Sequence, residues 1–183
     1  MEHLIEKTIS TKTIFEGRII DVVVEDVQLP NGKTSKREIV KHPGAVAIIA
    51  VTNDNKIVMV EQYRKALERA LVEIPAGKLE KGEEPIVCAR RELEEETGYH
   101  CEKLKHLTSF YTSPGFADEL VHLFVAEELV KLQESAELDE DEFVDILELT
   151  LDEAISFMSE NKIYDAKTAY AIQYLQLKQA LGE

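Results

Sequence analysis

Apolar and polar positions alternate around Val22, Val24 and Val27, and this near period of two predicts strand over residues 14–29. Pro30-Asn31-Gly32-Lys33 is a turn signal, and Lys36–Lys41 can return as the second arm of a hairpin. Ala45–Thr52 is an almost unbroken run of apolar, mostly β-branched residues, which predicts a strand buried on both faces. Lys56–Tyr63 alternates again after the turn Asn53-Asp54-Asn55. Pro85–Thr97 is the clearest helix, with a first-turn proline, acids at its start and Gly98 as its stop. Residues 103–112 and 120–128 read as strands separated by Ser113-Pro114-Gly115, and 143–149 as another. Leu151–Asn161 and Ala166–Leu181 read as closing helices. Strands and helices interleave without a regular βαβ rhythm, so a mixed sheet with helices on both faces is expected.

Composition narrows the class. The chain has 183 residues, 44% hydrophobic and 31% charged, as in a globular domain with a real core. Its longest apolar stretch, Gly44–Thr52, is too short to span a bilayer, and the acidic N-terminus carries no secretory pattern. Cys88 and Cys101 form neither a CxxC motif nor a disulfide framework, so a reduced, cytoplasmic protein with no membrane association is expected. The formal net charge of −15 repels phosphate backbones and argues against nucleic-acid binding. It leaves room for a small anionic substrate wherever divalent cations invert the local field.

The acids cluster on the helix. Glu92, Glu95 and Glu96 stand at i, i+3 and i+4 and share one face, while Ile86, Ala89 and Leu93 form an adjoining apolar face for a sheet. Like charges at that spacing repel, and the helix dipole disfavours anions near a C-terminus. Arg90 and Arg91 offer partial compensation. A solvated charged face is one reading; the other is a site for a hard cation such as Mg²⁺, which takes oxygen ligands.

The segment 77–99 resembles the Nudix box, G-x5-E-x7-R-E-U-x-E-E-x-G-U with U a bulky apolar residue. Gly77, Glu83, Arg91, Glu92, Leu93, Glu95, Glu96 and Gly98 all fall in register, and only Tyr99 departs from the usual aliphatic residue. The resemblance implies an α/β/α sandwich with a loop–helix–loop, preceded here by an N-terminal hairpin, and hydrolysis of a nucleoside diphosphate linked to another moiety. It also implies Mg²⁺, with Mn²⁺ able to substitute, held by Glu92 and Glu96 with Glu95 assisting and the Ala76 carbonyl as a further ligand. Glu83 and Arg91 would orient the loop and the carboxylates.

Pro114 follows Gly98 by 16 residues, and this offset is similar to the ADP-ribose pyrophosphatase branch of the family. The phrases EQYR (61–64), EIPAG (73–77) and REIV (37–40) also resemble that branch. By this resemblance Arg37 and Arg64 would contact phosphates or the terminal ribose, and Glu119 would accept from ribose hydroxyls in a pocket shaped by Ser113 and Gly115. Arg18 and Ile19 fall near the adenine contacts, with Phe15 or Arg18 replacing a stacking aromatic. In the acidic run 137–142, Glu140 and Glu142 are candidates for the water-activating base and a further metal contact.

The expectation is therefore Mg²⁺-dependent hydrolysis of ADP-ribose to AMP and ribose 5-phosphate by a homodimer. Residues 1–43 would provide the dimerising strands and 44–183 the hydrolase domain. The rival readings are hydrolysis of other nucleoside diphosphate sugars or dinucleotides, and a non-catalytic ADP-ribose sensor.

Overall fold

A computed structural model describes residues 2–133 and 143–182. The hairpin expected around Pro30–Lys33 forms between β2 (Asp21–Gln28) and β3 (Thr34–Lys41), in antiparallel register from Asp21↔Lys41 to Gln28↔Thr34. Gly32 takes the left-handed conformation its turn requires, at φ 82°, and Leu29 N–H donates to the Lys33 carbonyl at 2.7 Å.

The single strand expected over 14–29 is two strands. β1 (Lys7–Glu16) reverses at Gly17–Ile20 and runs back along β2, from Glu16↔Asp21 to Lys7↔Gln28. Gly17 makes the reversal possible: its N–H donates to the Ile20 carbonyl at 3.0 Å, and a Cβ there would press on the Phe15 ring and on that carbonyl. The first seven residues of β1, KTISTKT, are mostly polar and carry no periodic signal. The pairing rests on backbone bonds and on Thr8 and Ser10 donating to Glu25 and Asp26 across the ladder.

The chain divides into two compact units. The first comprises residues 1–44 with 110–121. It contains the sheet β1-β2-β3, against which the segment around Phe116 is laid by bonds from Val40 N–H to the Phe116 carbonyl (2.8 Å) and from Asp118 N–H to the Val40 carbonyl (3.2 Å).

The second unit comprises 45–109 and 122–183. Its strands are β4 (Ala45–Ala50), β5 (Ile57–Arg64), β6 (Arg69–Glu73), β7 (Ala76–Lys78), most of β8 (Tyr99–Tyr111) and β9 (Leu120–Lys131), and β10 (Val144–Leu149). They form sheets of order β7-β4-β9-β8 and β10-β5-β6. Helices α1 (Pro85–Thr97), α2 (Leu151–Ser159) and α3 (Ala166–Leu181) complete it. β4 is buried on both faces, as its composition predicts. Val46, Ile48 and Ala50 pack with Ala89 and Leu93 of α1, while the alternate residues Ala47 and Ile49 are also fully buried. Burying a leucine such as Leu93 contributes about 2 kcal/mol, which anchors α1 on the sheet. β6 and β7 were not expected. Pro75 separates them, and neither is long enough to show a period.

Candidate active site

Helix α1 opens with extended Glu84 and Pro85 in its first turn, and closes on Gly98 in the left-handed region at φ 66°, ψ 17°. Between these stops Ala89 and Leu93 face the sheet with Cys88. Ile86 does not join them: in the first turn it is 45% exposed, so the packed face begins two residues later. Turning the Leu93 face inward carries Glu92 and Glu96, one helical turn apart, into the protein, where they are only 7% and 3% exposed.

Two features of the preceding loop seat this pair. Ala76 N–H donates to Glu96 Oε2 at 2.9 Å. Gly77 lies directly against Glu92, and a Cβ at that position would overlap the Glu92 carboxylate. β7 holds both residues through the register Ala47↔Ala76 and Val46↔Gly77.

Arg91 compensates the acids. Its Nε and Nη2 each donate to Glu83 at 3.1 Å, and its Nη1 lies 2.8 Å from both Glu95 Oε2 and Glu92 Oε1. The Glu83 bond, with further help from Glu92, raises Arg91 well above its ordinary pKa, and Arg91 in turn holds Glu83 below the usual carboxylate range. Arg90 turns away to the Cys101 carbonyl at 2.6 Å, so only one of the two arginines serves the carboxylates. Cys88 sits beside this network, and burial, then Glu83 and Glu92, push its thiol up to about 12.

These donors suit a hard divalent cation, which takes one or two carboxylates and completes its shell with water and substrate phosphate. The seat shaped by Gly77 fixes one of the two carboxylates in advance. Among the described residues no third acidic, histidine or cysteine side chain joins them in a ligating group. Glu140 and Glu142 lie outside the described residues.

Arg64 belongs to the same unit. It forks onto Glu73, with Nε to Oε1 at 2.6 Å and Nη2 to Oε2 at 2.7 Å. Lys167 also bonds the Glu73 carboxylate and reaches Asp165 Oδ1, the cap of α3, at 3.0 Å. Burial alone would raise the Glu73 carboxyl, but Arg64 and Lys167 outweigh it and hold the group ionised, below its ordinary range. The Glu73 bond raises Arg64, and the charges of Glu96 and Asp165 add to it.

The other expected substrate contacts lie in the first unit. Arg18 and Ile19 line an open cleft of about 330 Å³ with Gly17, Asp21, Lys41, His42 and Pro43. Glu119 stands 3.8 Å from His42 Nε2 and accepts from the Thr112 hydroxyl. Ser113 and Gly115 form the preceding turn, in which the Ser113 carbonyl accepts from Ala117 N–H at 2.9 Å. Arg37 is engaged elsewhere, in a fork with Glu6.

Glu73, Lys167, His42 and Asp118 were missed as contributors. Asp118 ties the turn to β3, accepting from His42 N–H at 2.8 Å and from Lys41. A signal existed for Glu73, an acid between Val72 and Ile74 in an apolar stretch.

Residues 41–171 match the model of the NUDIX domain, and residues 6–40 that of the nucleoside diphosphate sugar hydrolase N-terminal domain. The chain is 67% identical over 181 residues to an ADP-ribose pyrophosphatase of Bacillus subtilis (strain 168), covering 99% of this chain and 98% of that one. It is 68% identical over 176 residues to a methanol dehydrogenase activator of Bacillus methanolicus, covering 96% and 95%. A GDP-mannose pyrophosphatase of Cronobacter sakazakii is 36% identical over 152 residues, covering 78% of each chain. Among solved structures, an ADP compounds hydrolase superposes with a TM-score of 0.83 over 97% of this chain and 96% of its own, at 21% identity. That likeness bears out the expected fold.

Proposed function

The chain belongs to the Nudix hydrolase family, and on that premise we propose that it hydrolyses the pyrophosphate bond of ADP-ribose to AMP and ribose 5-phosphate with Mg²⁺ or Mn²⁺. The observation that carries the chemistry is the buried pair Glu92 and Glu96, seated by Gly77 and Ala76 on the helix face that also buries Cys88, Ala89 and Leu93. The choice of ADP-ribose is supported by the near full-length likeness to the Bacillus subtilis pyrophosphatase.

Glu92, Glu96 and Glu142, with the Ala76 carbonyl, would hold the cation. The chemistry such an ion supplies is neutralisation of the pyrophosphate oxygens and acidification of water. Arg91 balances the charge of Glu92 and Glu95 and keeps both carboxylates oriented. Glu140 takes the proton of the attacking water, with Glu142 the alternative for that role. The water oxygen bonds to one phosphorus as the anhydride P–O bond breaks, and the two phosphomonoesters leave. Arg64 binds phosphate or terminal ribose, joined by Arg37 when it exchanges its fork with Glu6 for substrate. Glu119 accepts from ribose hydroxyls beside Ser113 and Gly115, and Arg18 and Ile19 hold adenine.

Residues 1–43 serve dimerisation and 44–183 the chemistry. A homodimer is supported by β1, every residue of which is exposed, Ile9, Ile14 and Phe15 among them. Two unpaired, buried cysteines support a cytoplasmic location. Among the described residues no helix is long and apolar enough to cross a membrane.

A substrate panel tests the reading: ADP-ribose, GDP-mannose and other sugar nucleotides, NADH and diadenosine polyphosphates, each with Mg²⁺ and with Mn²⁺. ADP-ribose is expected to have the highest kcat/KM. No turnover of any of them by folded protein overturns the enzymatic reading in favour of a binding protein. The equally strong likeness to the methanol dehydrogenase activator favours a second reading, in which the chain acts on a dehydrogenase system. A dehydrogenase assay with and without the protein tests that reading.

A further inference from the structure

Glu73 ends β6 at 2% exposure, with a carboxylate that one apolar neighbour on each side would not predict. β5 and β6 pair so that Arg64 faces Arg69 while Glu73 faces Val60, four positions further along the ladder. The fork between Arg64 and Glu73 therefore folds the arginine back along its own strand, a reach of roughly 13 Å between ladder positions. It consumes Nε and Nη2, and among the described residues Nη1 donates to no protein acceptor. The charge of Glu96, one of the proposed metal-binding carboxylates, also acts on this guanidinium.

We propose that Glu73 is a positioning residue, which fixes the plane of the Arg64 guanidinium and presents its Nη1 edge to the substrate's phosphate. A planar, always charged donor binds oxyanions best when its orientation is set beforehand. Lys167, itself held by Asp165, also bonds Glu73 Oε2, so Glu73 has little freedom to rotate away with the arginine. The proposal rests on the reading of Arg64 as a phosphate contact.

Steady-state kinetics on ADP-ribose across a Mg²⁺ titration test it, with Arg64→Ala, Glu73→Gln, the double variant and Lys167→Met. Glu73→Gln is expected to lower kcat/KM by about tenfold or more, with the Mg²⁺ half-saturation unchanged. The double variant should be no worse than Arg64→Ala alone, within about twofold, because the second loss acts only through the first. Lys167→Met, which leaves the Arg64 fork in place but loosens one side of the carboxylate, should lower the melting temperature and reduce kcat/KM by less than Glu73→Gln does.

Wild-type kcat/KM in Glu73→Gln beside an impaired Arg64→Ala overturns the proposal and leaves the reading of Arg64 standing. Additive losses, or an equal loss in Lys167→Met, overturn it by making the carboxylate a general prop of the cluster. An unimpaired Arg64→Ala sinks the reading of Arg64 itself and the proposal with it. Should Glu73→Gln not fold, Glu73→Asp carries the same test, since it keeps the charge but falls one methylene short of the fork. A folded Glu73→Asp with full activity overturns the proposal.

Discussion

Replacing Gly77 by alanine adds one carbon and strikes the seat of Glu92. The backbone of Gly77 lies outside the left-handed region, so alanine meets no conformational penalty there. What it meets is the Glu92 carboxylate, whose Cδ and both oxygens occupy the space of the new methyl group. Two escapes exist: β7 can shift off Val46 of β4, or the carboxylate can retreat along its own rotamers. Retreat by roughly 1 Å or more is enough to cost about 10²-fold when it falls on an oriented reacting group, or about 2.7 kcal/mol of transition-state stabilisation. Gly77→Ala is therefore expected to lose about two orders of magnitude in kcat/KM and to need more Mg²⁺ for half-maximal rate. Turnover can be followed by adding a phosphomonoesterase, which releases phosphate from AMP and ribose 5-phosphate but not from ADP-ribose. Glu94→Gln is the control, since Glu94 bonds His100 on the helix flank and should leave the rate within about twofold. Wild-type kcat/KM at every Mg²⁺ concentration, with unchanged circular dichroism and melting temperature, would refute the assignment of Glu92.

Glu96→Gln keeps the bond from Ala76 possible but removes a charge, so it should lose most turnover with the fold retained, and near-normal activity in saturating Mg²⁺ would sink its role. Glu119→Gln should raise KM for ADP-ribose without changing Mn²⁺ affinity; the reverse pattern would mean that Glu119 serves the metal. Glu140→Gln and Glu142→Gln should separate, the first losing about 10² to 10⁴-fold in kcat with metal affinity intact, the second losing metal affinity and recovering at high Mg²⁺. If both keep wild-type kcat, the base lies elsewhere. With its thiol pushed up to about 12, Cys88 stays protonated well above neutrality. It should resist alkylation at pH 8.5 in the native protein, whereas the unfolded chain, with thiols near pKa 8.5, reacts. Equal rates in the two states, read by mass spectrometry, would contradict that burial.

The parts of the site that were legible in the sequence are those whose partners are near in the chain. Pro85 and Gly98 bound α1, and Glu83, Arg91 and Glu95 find one another within a dozen residues, so spacing alone brings them together. Strand β1 was half hidden because its first half is mostly polar and its pairing is set by the reversal at Gly17. Arg64 and Arg37 were legible as cations but not as ion pairs. Their partners, Glu73 and Glu6, lie 9 and 31 residues away, and only the path of the strands makes them neighbours. Lys167, 94 residues from Glu73, is further still beyond local pattern. Yet Glu73 did break a local rule: an acid flanked by Val72 and Ile74, in a stretch that must be buried, is costly unless paired. Such conflicts between pattern and residue type concentrate at functional sites. Here the conflict was visible before the structure, and what the structure supplied was the arginine that resolves it.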